Sequence, residues 1–166
     1  GTYFLCDTHV SPDPTAMEVA EMVRLAAAEV RRFGIEPKVA LLSHSNFGSR
    51  DTTASLKMRE ATAILHRENP DMEVEGEMHA DSAVDGSIRE RVFPDSNLSG
   101  NANLLVMPSL DAANIAYNLL KVTGEGLSVG PMLVGMDKPV HIMTQAVTTR
   151  GIVNMTSYAV VDAQDR

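Results

Sequence analysis

The chain has 166 residues, of which 44% are hydrophobic and 22% are charged, and its formal net charge is −8. A chain of this length buries about 70% of its unfolded surface, so one domain can form a core without disulfides or metals. The negative charge argues against nucleic acid or an anionic membrane as the main partner. No apolar run approaches the roughly 18 residues of a membrane span, and no signal peptide is visible.

The single cysteine excludes an intrachain disulfide and is compatible with a reducing compartment. Cys6 lies in the apolar run YFLC, which favours a buried small hydrophobic side chain over a reactive thiol. We therefore expect a cytoplasmic protein.

The first part of the chain predicts two strand–helix pairs. Residues 3–6 and 38–43 are short apolar strands, and the second is apolar throughout, as a strand covered on both faces is. The first helix begins near Asp13-Pro14-Thr15 and ends at Gly34. The apolar positions that define the two helices by their spacing are Val19, Val23, Ala26, Val30 and Phe33, then Ala54, Met58, Ala61 and Leu65.

The rest of the chain continues this alternation. Residues 72–78 alternate apolar side chains with glutamates, which predicts a strand with one solvated face. Residues 80–92 predict a helix, 103–108 a buried strand, 112–123 a helix and 132–135 a further strand. The pattern predicts an α/β fold, a three-layer α/β/α sandwich with a mainly parallel sheet of about five strands.

The loop SHSNFGSRDTTAS, residues 43–55, follows a predicted strand at the sheet edge where ligands bind in such folds. Its small and hydroxyl residues are expected to leave backbone N–H groups free, and the following helix adds its positive end. Arg50 and Arg59 add charge. The loop lacks the G-K-[ST] of a P-loop, so phosphate or nucleotide binding stands beside a plain turn rich in helix caps.

Two further patterns are ambiguous. Gly124, Gly126 and Gly130 follow a helix and are spaced too widely for a dinucleotide fingerprint, which favours a helix-ending loop. The segment GEMHADSAVDG offers metal-ligating side chains, but its pattern favours a polar strand-to-helix turn that lines a cleft over a metal site. Its candidate ligands are Glu77, His79, Asp81 and Asp85, of which Asp81 is also a candidate helix N-cap.

Several segments together resemble the phosphotransacetylase family in order and spacing. They are ALLSHSNFGS, EVEGEMHADSAV, SGNANLLVMPSLDAANIAYNLL, VGPMLVGMDKPVHIM and GIVNM. The resemblance covers essentially the whole chain and about the second half of that module. AAEVRRFGIEPKVALLSHSNFGS and VGPMLVG resemble more narrowly the carboxyl-terminal module of large bacterial NADP-dependent malic enzymes. The family resemblance implies a phosphotransacetylase-like α/β domain over residues 1–138. It also implies that residues 139–166 form a segment that in the family returns to the missing first half of the module.

The same resemblance implies that catalytic groups are missing. Active phosphotransacetylases have Ser-Arg where this chain has Thr144-Gln145, and Asp where it has Gly151. In the family, the Asp is thought to deprotonate the coenzyme A thiol, the Arg binds the acyl phosphate and the Ser stabilises the reacting oxygen. No carboxylate lies between Asp137 and Asp162, so a one-residue shift restores no base. We expect no catalytic residue here, and these three positions are vestigial.

The expected function is a regulatory and oligomerisation domain of NADP-dependent malic enzyme, which converts malate to pyruvate and CO2. We expect no cofactor in this domain, acetyl-CoA as an effector, and NADP with a divalent metal in the malic enzyme part. The expected partners are a second copy, as a homodimer, and the malic enzyme catalytic domain of the same parent chain, with no nucleic acid and no membrane.

The residues expected to contact acetyl-CoA are Ser43, Ser45, Asn46, Ser49, Pro108, Asn114, Gly130, Thr144, Gln145 and Arg150. Two alternatives stay open. One is an active phosphate acetyltransferase, which converts acetyl-CoA and phosphate to acetyl phosphate and coenzyme A. The other is a purely structural dimerisation module.

Overall fold

The computed structural model describes residues 1–124, 126–145 and 147–164, and it forms two compact units, Gly1–Tyr117 and Asn118–Arg166. The elements in chain order are β1 (Phe4–Cys6), α1 (Ala16–Arg32), β2 (Val39–Leu42), α2 (Thr53–Glu68), β3 (Val74–Met78), α3 (Ala80–Val84), α4 (Gly86–Val92), β4 (Leu104–Val106), α5 (Leu110–Thr123) and α6 (Thr149–Gln164). The contact boundary falls inside α5. The predicted division at residue 138 stays a prediction.

The first unit contains a parallel sheet with the strand order β1-β4-β2-β3. Every residue of β2 is buried, as expected for an inner strand that has helices on both faces. Val39 and Leu41 belong to the core beneath α1 and α2, whereas Ala40 and Leu42 belong to the core beneath α3 and α5. This alternation gives the three layers, and the predicted α/β class is confirmed.

The sheet has four strands in the described part of the chain, and the predicted strand at 132–135 is wrong. Gly130 and Gly135 bracket this stretch with φ values of +124° and +81°, and Pro131 has no N–H to donate to a ladder. The apolar side chains of this stretch are half-buried, but its backbone is not paired as a strand. Its hydrophobicity therefore indicated packing and not pairing.

The helix predicted over residues 80–92 is two helices. Asp85 is extended, with φ −130° and ψ 102°, and its Oδ1 accepts a hydrogen bond from the Ser87 backbone N–H at 2.9 Å. That side chain caps α4, so Gly86 is the first residue of a new helix and not an interruption of one. Aspartate competes with the helical backbone for hydrogen bonds, which explains the break.

The last helix, α6, was not predicted. Thr148 caps it, because its Oγ1 accepts from the Gly151 N–H at 3.1 Å and its carbonyl accepts from Ile152 at 3.0 Å. Pairs of β-branched residues, Ile152-Val153 and Val160-Val161, lower helix propensity and hide the signal. None of the helices in the described ranges is long and apolar enough to cross a membrane.

Candidate functional site

A buried glutamate organises the loop that follows β2, residues 43–52, here called the β2–α2 loop. Glu77, near the end of β3, is 1% exposed. Its carboxylate accepts hydrogen bonds from the Ser45 hydroxyl at 2.7 Å and from the Gly48 N–H at 2.9 Å. Arg59 on α2 donates from Nε and Nη2, both at 3.1 Å, in a two-pronged ion pair. The acid thus joins the loop, α2 and β3 at one point.

The charge on Glu77 is stabilised in place. Burial raises the pKa of this carboxyl, but the donors on Arg59, Ser45 and Gly48 outweigh burial and lower its pKa to about 2. Hydrogen bonds to Glu77 and Asp51 raise the pKa of the Arg59 guanidinium above its ordinary value. The pair is therefore fully ionised at neutral pH.

The expectation that this loop leaves its backbone N–H groups free is wrong. The N–H groups of residues 45–50 all donate within the protein. Their acceptors in order are Ser43 Oγ, Ser49 Oγ, Glu77 O, Glu77 Oε1, Asn46 O and Ser45 Oγ, at 2.8–3.2 Å. The carboxylate of Glu77 accepts one of these hydrogen bonds, from the Gly48 N–H, and so places a negative charge of the protein itself against the loop. A ligand at this loop would therefore be contacted by side chains and not by the N–H groups of residues 45–50.

The loop holds an unusual backbone conformation. Phe47 has φ +47° and Gly48 has φ +85°, both in the left-handed region. Phe47 is fixed there because its N–H donates to the Glu77 carbonyl at 2.8 Å and its ring stacks on Phe93, with centroids 4.4 Å apart. These two contacts hold a conformation that a non-glycine residue seldom adopts.

The turn after β3 also fastens this loop. The His79 backbone N–H donates to Asn46 Oδ1 at 3.0 Å, and His79 Nε2 lies 3.0 Å from the His44 carbonyl, which it contacts as a donor. Asn46 Nδ2 in turn donates to Ser82 Oγ at 3.3 Å. Asn46 therefore joins the β2–α2 loop to the turn and to α3.

The structure places the metal candidates in other roles. Glu77 is committed to Arg59, and no group of three His, Cys, Asp or Glu side chains in the described ranges could hold a metal ion. Asp81 is not an N-cap, since α3 already begins at Ala80 with His79 as its cap residue. The segment is a polar strand-to-helix turn, and its side chains fasten the neighbouring loop.

Two more predicted ligand residues lie at the same sheet edge. Pro108 follows β4 as Ser43 follows β2, and these strands are neighbours in the sheet. Asn114 on α5 donates from Nδ2 to the Thr8 carbonyl at 3.2 Å, which ties α5 to the loop after β1. Together with Ser45, Asn46 and Ser49, these residues form the polar carboxyl edge of the sheet.

The other predicted ligand residues belong to the second unit. Gly130 lies in a loop, Thr144 and Gln145 are exposed before α6, and Arg150 is exposed in the first turn of α6. Gly151 follows it, and a Cβ at that position would stand 2.8 Å from Val147 Cγ2. The ligand-binding roles of these residues stay predictions.

Sequence reasoning missed two buried acids in β3, for which it predicted a solvated face. Glu75 is 4% exposed, and its Oε2 accepts from the Asn97 N–H at 2.9 Å. Glu77 pairs with Arg59, 18 residues earlier in the chain. The predicted alternation in β3 fails after Gly76, because the register against β2 shifts there and Val74 and Met78 lie in different cores. No local signal shows this shift or shows that other segments cover Glu75 and Glu77.

A buried histidine in the second unit was also missed. His141 Nδ1 accepts from the Leu133 N–H at 3.3 Å, and its ring meets Tyr158 edge-on with centroids 4.8 Å apart. Its Nε2 lies 4.0 Å from Asp162 Oδ2, and both side chains are at most 5% exposed. These contacts fasten the segment before α6 to that helix.

Comparison with known proteins identifies close relatives. The family model for phosphate acetyl/butaryl transferase matches residues 1–160. An NADP-dependent malic enzyme from Escherichia coli is 53% identical over 99% of this chain and 22% of its own length. An NAD-dependent malic enzyme from Rhizobium meliloti is 52% identical over 98% of this chain and 21% of its own length. The chain thus spans about a fifth of the length of these relatives.

The chain also matches about half of shorter proteins. A phosphate acetyltransferase from Corynebacterium glutamicum is 36% identical over 96% of this chain and 49% of its own length. The crystal structure of a phosphotransacetylase from Streptococcus pyogenes superposes with a TM-score of 0.91 at 34% identity, over 96% of this chain and 49% of that one.

Proposed function

The chain belongs to the phosphate acetyl/butaryl transferase family and corresponds to the phosphotransacetylase-like carboxyl-terminal domain of bacterial malic enzymes, and we propose that it is a non-catalytic regulatory and assembly module. In this proposal the module senses acetyl-CoA and inhibits the conversion of malate to pyruvate and CO2 by the malic enzyme part of the parent chain. NADP or NAD and a divalent metal act in that other part.

The observation on which the proposal rests is that position 151 is a glycine with no room for a larger side chain. The resemblance to active phosphotransacetylases assigns a carboxylate base to this position, and a coenzyme A thiol must become a thiolate to attack. Gly151 has no side chain, and a Cβ there would stand 2.8 Å from Val147 Cγ2, inside van der Waals contact. The fold is retained while the base and the room for it are absent. This combination supports binding without turnover.

The carboxyl edge of the first unit supplies polar side chains for such binding. The backbone of Arg50 is immobilised, because its N–H donates to Ser45 Oγ at 3.0 Å and its carbonyl accepts from Ser55 Oγ at 2.8 Å. Its exposed guanidinium forms no ion pair with the described residues. An anionic ligand group would meet this cation and the hydroxyls of the loop, and not the backbone donors.

We also propose that the module pairs with a second copy. Ile115, Leu119 and Val122 are spaced four and three residues apart on α5, so they share one helix face, and they are 61%, 60% and 78% exposed. Residues 1–117 carry ten Lys and Arg against 18 Asp and Glu, whereas residues 118–166 carry four of each. A two-fold contact presses a patch against its own copy, so an apolar stripe in a neutral region suits it.

The regulatory proposal is tested in the intact malic enzyme. The rate of malate-dependent NADP reduction is measured across an acetyl-CoA titration, with this module present and with residues 1–166 deleted. A coupling free energy of about 1–3 kcal/mol corresponds to roughly 5–150-fold inhibition. We expect this inhibition in the intact enzyme and its loss on deletion. Unchanged inhibition in a deletion variant that stays folded would place the sensor elsewhere.

An active phosphate acetyltransferase remains the second candidate. The observation in its favour is the 36% identity to the Corynebacterium glutamicum phosphate acetyltransferase. A purely structural module would form the same dimer without binding acetyl-CoA. Calorimetric titration with acetyl-CoA separates that alternative from the regulatory one.

A further inference from the structure

Arg89 is a buried cation that no carboxylate neutralises by an ion pair in the described part of the chain. It lies on α4 and is 1% exposed. Nη1 donates to the Ser82 carbonyl at 3.2 Å, and Nη2 donates to the carbonyls of Leu98 at 3.0 Å and Gly100. A buried charge is costly unless it is well hydrogen-bonded, and a guanidinium presents several donors in fixed directions. Arg89 therefore binds main chain from two separate segments.

The first of these segments reaches the β2–α2 loop. Ser82 on α3 accepts from Arg89 through its carbonyl and from Asn46 Nδ2 through its hydroxyl, the latter at 3.3 Å. Asn46 also accepts from the His79 N–H at 3.0 Å. Ser82 therefore contacts both the loop at the carboxyl edge of the sheet and the buried guanidinium.

The second segment, residues 97–101, lies at the opposite edge, where β4 begins. Ser99 stands between the two residues whose carbonyls accept from Arg89. Its N–H donates to Glu73 Oε2 at 3.0 Å, and Lys38 Nζ donates to its hydroxyl at 2.9 Å. Lys38 and Glu73 directly precede β2 and β3, so this segment is fixed to the amino edge of the sheet.

We propose that Arg89 is a positioning residue that couples the β2–α2 loop to the 97–101 segment across the sheet. The Ala102 N–H already donates to the Ala83 carbonyl at 2.8 Å, and the Gly86 N–H donates to Asn101 Oδ1 at 2.8 Å. Hydrogen bonds from a charged donor in a buried site are stronger than neutral ones, so Arg89 adds the larger restraint between α3 and the 97–101 segment. Ordering of either loop then stabilises the other. Under the proposed function, this is how a ligand at the β2–α2 loop affects the opposite edge, but the coupling itself needs no ligand.

The test measures amide hydrogen exchange at Asn97 and Ser99 in the ligand-free chain. The variants are Asn46→Ala, Arg89→Lys and the two combined. A lysine keeps the charge but cannot bind both segments. We expect Asn46→Ala to lower the protection of these two amides at least about twofold, because it releases the far end of the chain of contacts. In the Arg89→Lys background, Asn46→Ala should lower the protection of the two amides by less than about twofold.

The matched control is Arg91→Lys, since Arg91 lies on the same helix, is exposed and bonds only to the Ser87 carbonyl among the described contacts. Arg91→Lys should leave the exchange protection of the Asn97 and Ser99 amides unchanged. Exchange of the Leu41 amide in the inner strand reports global unfolding. The protection changes at Asn97 and Ser99 are therefore corrected for any change in global stability that Leu41 reports. The coupling is refuted if Asn46→Ala leaves the exchange protection of the Asn97 and Ser99 amides unchanged. It is also refuted if Asn46→Ala lowers that protection equally in the wild-type and Arg89→Lys backgrounds.

A second variant keeps the test decisive if Arg89→Lys does not fold. Ser82→Ala removes the hydroxyl that Asn46 contacts but keeps the carbonyl that Arg89 contacts, so it should reproduce the effect of Asn46→Ala. Unchanged protection at Ser99 in this variant would overturn the proposal. Acetyl-CoA is absent throughout, so failure of the effector proposal cannot alter the outcome.

Discussion

At the scale of single residues, the proposal of a non-catalytic module depends on Gly151. Under this proposal, the absence of a base at Gly151 and of a phosphate-binding cation at Gln145 should each lower the rate of acyl transfer about 10²-fold or more. We predict that the purified chain, assayed with acetyl phosphate and coenzyme A, matches the buffer blank. The Streptococcus pyogenes phosphotransacetylase serves as the positive control. A turnover of about 1 s⁻¹, the low end for ordinary enzymes, would contradict the prediction.

Glu77 is the residue on which the β2–α2 loop depends. In Glu77→Gln the ion pair with Arg59 is lost, and an amide replaces one of the two acceptor oxygens. We expect the free energy of unfolding to fall by about 2–4 kcal/mol, because the arginine then faces a buried site without its counter-charge. Glu60→Gln, on the exposed face of α2, should stay within about 0.5 kcal/mol. Denaturant titration measures both, and equal values would refute the assigned role.

At the scale of elements, Gly76 sets the spacing of β2 and β3. A Cβ at this position would stand 2.8 Å from both the Cβ and the carbonyl oxygen of Leu41 on the neighbouring strand, and 3.1 Å from Thr62 Oγ1. We predict that Gly76→Ala destabilises the chain by about 1–3 kcal/mol, since backbone cannot move aside as a flexible side chain can. The control is Gly86→Ala, whose added Cβ meets nothing closer than 3.4 Å. If thermal unfolding does not distinguish the two variants, the tight contact is absent.

The exposed stripe on α5 belongs to the same scale. We predict that Leu119→Glu converts the proposed dimer to monomer, because two like charges would meet at a self-complementary contact. Leu56→Glu introduces the same charge at an exposed leucine of α2 and should leave the dimer intact. Sedimentation velocity at tens of micromolar reads the outcome. A wild-type chain that is monomeric at that concentration would refute the dimer.

At the scale of the whole molecule, acid should destabilise the fold. The pKa of Glu77 is lowered to about 2, and hydrogen bonds outweigh burial to lower the pKa values of Asp7 and Glu73. The unfolded chain therefore binds protons first as pH falls, and stability decreases from about pH 5 towards pH 2. Glu77 alone accounts for roughly 3 kcal/mol of this loss. Denaturant unfolding at stepped pH should show that slope, shallower in Glu77→Gln; a flat profile would contradict it.

The sequence by itself determined the class of the fold and supplied the prediction that catalytic groups are missing. Helix periodicity and short apolar runs are local properties, so α1, α2, β2 and β4 were predicted close to their observed positions. The absence of a carboxylate between Asp137 and Asp162 needs only the order of residues. The β-branched pairs of α6 lower its helix propensity, so this helix was not predicted. The hydrophobicity of residues 132–135 reflects packing, so the strand predicted there does not form.

Only the tertiary structure decided how the polar residues are used. Glu77 and Arg59 are ordinary surface types in sequence, and they pair because α2 packs beside β3 in a particular register. The Glu77 carboxylate then accepts the Gly48 N–H, and acceptors within the loop and the main chain of Glu77 take the other N–H groups of residues 45–50, which the free-donor expectation did not anticipate. Arg89 likewise finds its acceptors in two segments that the fold brings together. Partner choice depends on the distances that the assembled sheet imposes, and no local pattern encodes those distances.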